Sequence, residues 1–198
     1  MIDRQSALAG HYKPGVHGAG DGSAVTIQER CDFDLVQIAA WPDSADHVAA
    51  IIAERTGCAV PEGNGGSASA GDVRVLWNGP DRWWIVGLTG GPALSLVDAF
   101  DADAAAVSEL SQSRTVLRLG GPMSRAVLAK GLPIDLHRRA FAAGRVAQSA
   151  IHHTGVLVHR IDGGNSFDLY VFRSFGLSFW EWLTDAAAEY GYTVADRG

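Results

Sequence analysis

Only two of the 198 residues are cysteine, and that scarcity sets the first limits. A small secreted domain stapled by disulfides carries more of them, in even sets. Cys31 and Cys58 therefore read as reduced thiols, buried or partly buried. No apolar run approaches the ~20 residues needed to cross a bilayer. Nor does a basic stretch followed by an apolar one open the chain, as in a signal peptide. The expectation is a cytoplasmic protein without membrane contact. Basic residues are also short: 16 Lys and Arg against 22 Asp and Glu give a formal net charge of −6. Nucleic acid repels that balance unless a local basic stripe forms. The basic cluster His137-Arg138-Arg139 is too short and lacks interleaved aromatics.

What the chain does have is bulk for a core: 47% hydrophobic residues, with six Trp and seven Phe. That suffices for one large domain or two small packed units. Residues 1 to 22 read as a flexible N-terminal arm, because Pro14, Gly15, Gly18, Gly20 and Gly22 work against regular structure. Such an arm is either loose or ordered only against a partner. The glycine-rich stretch from Gly63 to Gly71 lacks the Gly-Lys-Ser/Thr ending of a phosphate loop and reads as a surface loop.

The remainder carries one order of elements twice. A strand over Phe33–Ala40 precedes a helix that starts at Pro42-Asp43-Ser44 and runs to Arg55, with Ala45, Val48, Ile51 and Ile52 on one face and Gly57 ending it. A hairpin then pairs 73–77 with 83–86, and a short helix follows near Pro92 to Phe100. The second set begins with a strand over Thr115–Leu119 and a helix opened by Gly121-Pro122, with proline at its first position. A hairpin pairs 156–161 with 167–172. The closing helix has a capping box, Ser178 and Glu181, and a stripe of Phe179, Trp182, Leu183, Ala186, Ala187 and Tyr190. The fold class is α+β, two pseudo-repeated strand–helix–hairpin–helix units, over about 25–104 and 105–198. A doubly wound nucleotide fold would need regular strand–helix alternation and a glycine fingerprint after a strand, and the chain has neither.

Catalytic chemistry is hard to find. His152, His153 and His159 lie in or beside a strand, where neighbours point to opposite faces. His153 and His159 are too far apart along it to share one metal ion. There is no Gly-x-Ser-x-Gly elbow, and neither cysteine opens a helix that would lower its pKa. Glu109, Asp135 and Asp168 are possible acids, with Asp135 better read as a turn or cap residue. Arg114 is placed either to clamp a carboxylate or to pair with an internal acid. No catalytic, cofactor-binding or metal-binding residue is assigned. Trp83 and Trp84 are adjacent on a strand, so one of them faces away from the core. Phe175 and Trp180 miss the main stripe of the last helix. Trp83, Trp84, Phe175 and Trp180 are therefore the candidates for contact with a partner.

Several strings go further than composition. They are Leu110-Ser111-Gln112-Ser113-Arg114, Leu128-Ala129-Lys130-Gly131-Leu132-Pro133-Ile134-Asp135-Leu136 and Phe141-x-x-Gly144-Arg145-Val146-Ala147-Gln148. Arg173-Ser174-Phe175-Gly176-x-Ser178-x-Trp180-x-Trp182-Leu183 follows, and the hairpin from Leu76 to Trp84 fits the first unit. In this order they resemble the gamma-subunit family of heterotetrameric sarcosine oxidases, over about residues 25 to 192. The resemblance implies a single gamma-like domain over 23–198, similar in fold to the folate-binding domain of glycine-cleavage T proteins and of tRNA-modifying folate proteins. It also implies a structural subunit with no cofactor of its own, in a complex that oxidises sarcosine to glycine. The partners would be alpha, beta and delta subunits, holding FAD, FMN, NAD and tetrahydrofolate. Two alternatives stay open: a stand-alone folate-binding protein, and the small subunit of a related N-methylglutamate dehydrogenase. The signature Lys-Gly-Cys-Tyr-x-Gly-Gln of the tRNA-modifying proteins is replaced here by Lys130-Gly131-Leu132-Pro133, which departs from that type.

Overall fold

A computed structural model describes residues 5–161 and 163–198. In chain order the strands are β1 (Gly15–His17), β2 (Val25–Arg30), β3 (Asp34–Ala40), β4 (Ser67–Ala70), β5 (Val73–Gly79), β6 (Arg82–Gly87), β7 (Ala105–Glu109), β8 (Arg114–Gly120), β9 (Val146–Ile151), β10 (Thr154–Arg160), β11 (Phe167–Phe172) and β12 (Tyr192–Val194). The helices are α1 (Ala45–Thr56), α2 (Ser124–Ala129) and α3 (Gly176–Ala188). They form two compact units: Asp32–Ser111, and the residues up to Cys31 together with Gln112–Gly198.

The Asp32–Ser111 unit has a five-stranded sheet in the order β4-β5-β6-β3-β7, antiparallel throughout. Val36 and Ile38 on β3, Val75 on β5, and Trp83 and Ile85 on β6 point to one face at the strand period of two. Val48 and Ile52 of α1, four residues apart on one helical face, pack with them. Gly57 ends α1 in the left-handed conformation, φ 68°, with its N–H donating to the Ala53 carbonyl at 2.9 Å. Where a helix was expected near Pro92 to Phe100, a single 3-10 turn spans Leu94–Leu96. β7 pairs with β3, so residues 105–111 belong to this unit and not to the second set of elements.

The other unit has a seven-stranded sheet, β1-β12-β2-β8-β11-β10-β9, with β12 and β2 parallel and the other pairs antiparallel. Ile27, Leu117, Leu119, Val158, Phe167 and Leu169 of the sheet bury against Val127 of α2 and Phe179, Leu183 and Ala187 of α3. β9 was not foreseen: its sequence, Val-Ala-Gln-Ser-Ala-Ile, is weakly apolar and buries only its two ends. It makes His152 and His153 a two-residue turn, not part of a strand. Both have positive φ, 44° and 67°, as a tight hairpin turn of that hand requires.

The N-terminal segment corrects the reading of a flexible arm. Leu8 is fully buried in the core of this unit, and β1 pairs with β12. The glycines serve close approach. Ala19 N–H donates to the Ala188 carbonyl at 2.9 Å, and Gly191, at φ 75°, lies so near that a Cβ on it would sit 1.6 Å from the Ala19 carbonyl oxygen. At the other end, Glu29 accepts from Ser6 Oγ at 2.6 Å and from Arg197 Nε at 2.7 Å. The Tyr12 hydroxyl donates to the Ala195 carbonyl at 2.5 Å and accepts from the Glu29 N–H at 3.1 Å. Both helix starts also differ from expectation. Met123 N–H donates to the Ala24 carbonyl, holding 121–123 as a turn, so α2 begins at Ser124 and not at Pro122. A 3-10 turn, Arg173–Phe175, runs into α3 at Gly176, which leaves Ser178 inside the helix and the capping box unused.

Candidate functional site

The strand registers gather one polar row. Arg118 on β8 stands opposite Asp168 on β11, and Asp168 stands opposite His159 on β10, so all three share a sheet face. Asp168 and His159 are buried. Arg118 donates through Nε to Oδ1 of Asp168 at 2.8 Å and through Nη2 to Oδ2 at 2.9 Å. This fork-on-fork pairing engages both carboxylate oxygens. It is the geometry of a structural ion pair, not of a base waiting for a substrate proton. The other two acids named from sequence are tied up locally. Glu109 Oε1 accepts from the Ser111 N–H at 2.7 Å, and Asp135 Oδ1 accepts from the His137 N–H at 2.8 Å, the turn role expected of it. Among the described residues, no three His, Cys, Asp or Glu side chains gather closely enough to hold a metal ion.

Of the four contact candidates, three are corrected. Trp83 is 7% exposed and belongs to the core beside α1; Trp84 on the opposite face is 5% exposed, its indole N–H donating to Gln37 Oε1 at 3.0 Å. Trp180 is 6% exposed because the N-terminal segment covers it: its ring centroid lies 5.1 Å from that of Tyr12. None of these three offers its ring to a partner. Phe175 does, at 47% exposed, and it is joined by Phe172 at 49%, a residue not among the four contact candidates. Phe172 is the last residue of β11, where the strand runs out of its covering layer.

A shallow cleft of about 650 Å³ opens beside Phe172, lined by Ala7, Gln112, Ser113, Phe172, Arg173 and Ser174. The Arg114 guanidinium carbon lies 4.0 Å from the Phe172 ring centroid, a cation–π contact, and its Nη1 donates to Ser113 Oγ at 2.9 Å. Burial pulls the Arg114 pKa below its ordinary value. Sequence reasoning had set Arg114 against a carboxylate; its placement over an aromatic ring depends on the β8–β11 pairing of Arg114 with Phe172, a long-range register.

A chain of this kind, α+β with its three candidate acids held in an ion pair and in turns and with an aromatic, cationic cleft on its surface, has the fold of the T proteins. It aligns with the glycine cleavage system aminomethyltransferase T of Bartonella henselae at a TM-score of 0.62 and 14% identity, over 89% of this chain and 48% of that one. The model of the sarcosine oxidase gamma subunit family matches residues 42–189, and the chain belongs to that family. It is 33% identical to the sarcosine oxidase subunit gamma of an Arthrobacter species over 92% of this chain and 89% of that one. With the corresponding subunit of Corynebacterium sp. U-96 the identity is 35%, over 84% and 81% of the two chains. A chain of the solved heterotetrameric sarcosine oxidase from Corynebacterium sp. U-96, in complex with pyrrole 2-carboxylate, superposes at a TM-score of 0.77, with 32% identity over 87% of this chain and 88% of that one.

Proposed function

We propose that this chain is a non-catalytic, structural gamma subunit of a cytoplasmic heterotetrameric sarcosine oxidase, which oxidatively demethylates sarcosine to glycine. The observation that carries the reading is the likeness, nearly end to end, to a chain of a solved heterotetrameric sarcosine oxidase. The alpha, beta and delta subunits are its partners, and they hold FAD, FMN, NAD and tetrahydrofolate. The engagement of Asp168, Glu109 and Asp135 in local structure supports a role in assembly over a role in chemistry. The two units are read as repeats of one plan. Their sheets support this: β4-β5-β6-β3-β7 matches β9-β10-β11-β8-β2 strand for strand, with the helix α1 or α2 following β3 or β8 in each.

The T-protein fold favours one competing reading, an independent folate-binding protein. Purification of the tagged chain from its source cell tests the first reading: yellow, flavin-bearing chains co-purify if it is a subunit. Calorimetry of the isolated chain with tetrahydrofolate tests the second, and micromolar binding there would place folate binding ahead of assembly. Assaying the co-purified complex with sarcosine and with N-methylglutamate in parallel decides which amine it oxidises.

A further inference from the structure

The cleft at the end of β11 has the character of a contact surface for one kind of partner. Of the seven phenylalanines, only Phe172 and Phe175 are exposed, three residues apart: Phe172 immediately precedes the 3-10 turn that leads into α3, and Phe175 is its last residue. Arg173 lies between them and lines the cleft; none of the described residues that line it is a carboxylate. Arg114 adds a second cation, stacked on Phe172. Among the described residues the patch thus carries basic side chains on a chain of net charge −6, a sign opposite to that of the protein that carries it. Aromatic rings set beside arginine are the composition of interface hot spots, where the ring supplies rigid contact area and the guanidinium a directed charge.

We propose that this cleft docks an acidic segment of a partner subunit, with a carboxylate set against Arg173 and the neighbouring apolar side chains laid on Phe172 and Phe175. The proposal rests on the subunit reading above and adds where and by what chemistry the partner is held. A second copy of this chain is the poorer occupant: an isologous contact through the patch would bring like charges, Arg173 and Arg114, against their own copies.

The test uses the chain co-expressed with its flavin-bearing partners. Phe175→p-benzoylphenylalanine is introduced, the purified complex is irradiated, and the crosslinked peptide is mapped by mass spectrometry. The expected product joins residue 175 to a partner peptide with Asp or Glu within a few residues of the link. In parallel, Arg173→Glu and Phe175→Ser are each expected to lower retention in the complex at least ~10-fold, the scale of one hot-spot contact. Arg173→Lys is expected to keep most of it and controls for the half-buried position of Arg173, and the thermal unfolding of the isolated Phe175→Ser chain is expected to match that of the parent chain, since Phe175 is exposed. A crosslink to a peptide without carboxylates or to a second copy of this chain overturns the proposal, as does undiminished retention of the Arg173→Glu chain. In each of those results the parent chain is still retained, so the subunit reading survives. Failure of the parent chain to bind any flavin-bearing partner overturns both.

Discussion

The position of Leu8 makes the most exposed claim about the fold, because sequence composition places it in a flexible arm. Its side chain is fully buried among the residues that α3 and the seven-stranded sheet enclose. Leu8→Ala removes three buried carbons and leaves a cavity whose cost depends on how far its surroundings collapse. Core Leu→Ala changes cost about 2–5 kcal/mol. An N-terminal segment can shift inward more readily than a central strand, so the lower half of that range, about 2–3 kcal/mol, is expected here. For a chain of this size each kcal/mol lowers the melting temperature by about 2–4 °C, which predicts a drop of roughly 4–12 °C. Urea and thermal unfolding of the isolated chain, followed by tryptophan fluorescence and circular dichroism, give both quantities. Val16→Ala is the control, since Val16 lies on the same segment but is 58% exposed; a surface change of that kind should cost no more than about 0.5 kcal/mol. If Leu8→Ala is as silent as Val16→Ala, the segment is not part of the core and the account of the fold is wrong there.

Gly191→Ala should destabilise by more than about 2 kcal/mol, because it adds a left-handed backbone cost to a collision with the Ala19 carbonyl; the urea midpoint measures it. Asp168→Asn should cost about 1–3 kcal/mol by removing the charge and one of the two oxygens that Arg118 engages, and Arg118→Met in the same background should recover part of that loss in a double-mutant cycle. The Tyr12 hydroxyl is held above the usual tyrosine range, first by burial, which disfavours the phenolate, and then against the opposing pull of its hydrogen bond with the Glu29 backbone. A folded-state pKa raised above the unfolded one gives stability that is present below about pH 10 and is lost as pH rises through the folded value. The melting temperature should therefore fall more steeply above pH 10 in the parent chain than in Tyr12→Phe.

Much of the architecture follows from local pattern. The helix from Ala45 to Thr56 and its glycine stop, the two hairpins and the stripe of α3 are all readable from periodicity and turn residues, because each depends on neighbours within a few positions. The misreadings share a long-range cause. The arm and Trp180 fail together: glycines that look like breakers are the close-approach points of a segment whose Tyr12 covers Trp180, and that contact joins residues 168 positions apart. The strand 146–151 escapes because alanine, glutamine and serine supply little β pattern of their own and its pairing with β10 supplies the rest. Trp84 was correctly assigned to the face opposite Trp83, yet alternation says only which way a side chain points, not whether that face is covered. Phe172 and Arg114 are similarly silent in one dimension, because their stacking is set by the register between β8 and β11.

The central claim is that this chain assembles and does not itself turn over sarcosine. The direct measurement is sarcosine-dependent hydrogen peroxide formation by three preparations at equal concentration: the purified chain alone, the co-expressed complex, and the complex separated into its parts and recombined with this chain. The account predicts no peroxide and no flavin absorbance from the chain alone, turnover from the intact complex, and recovery of turnover only when this chain is added back. Peroxide formation by the chain alone, or full activity of the partner subunits in its absence, would contradict it.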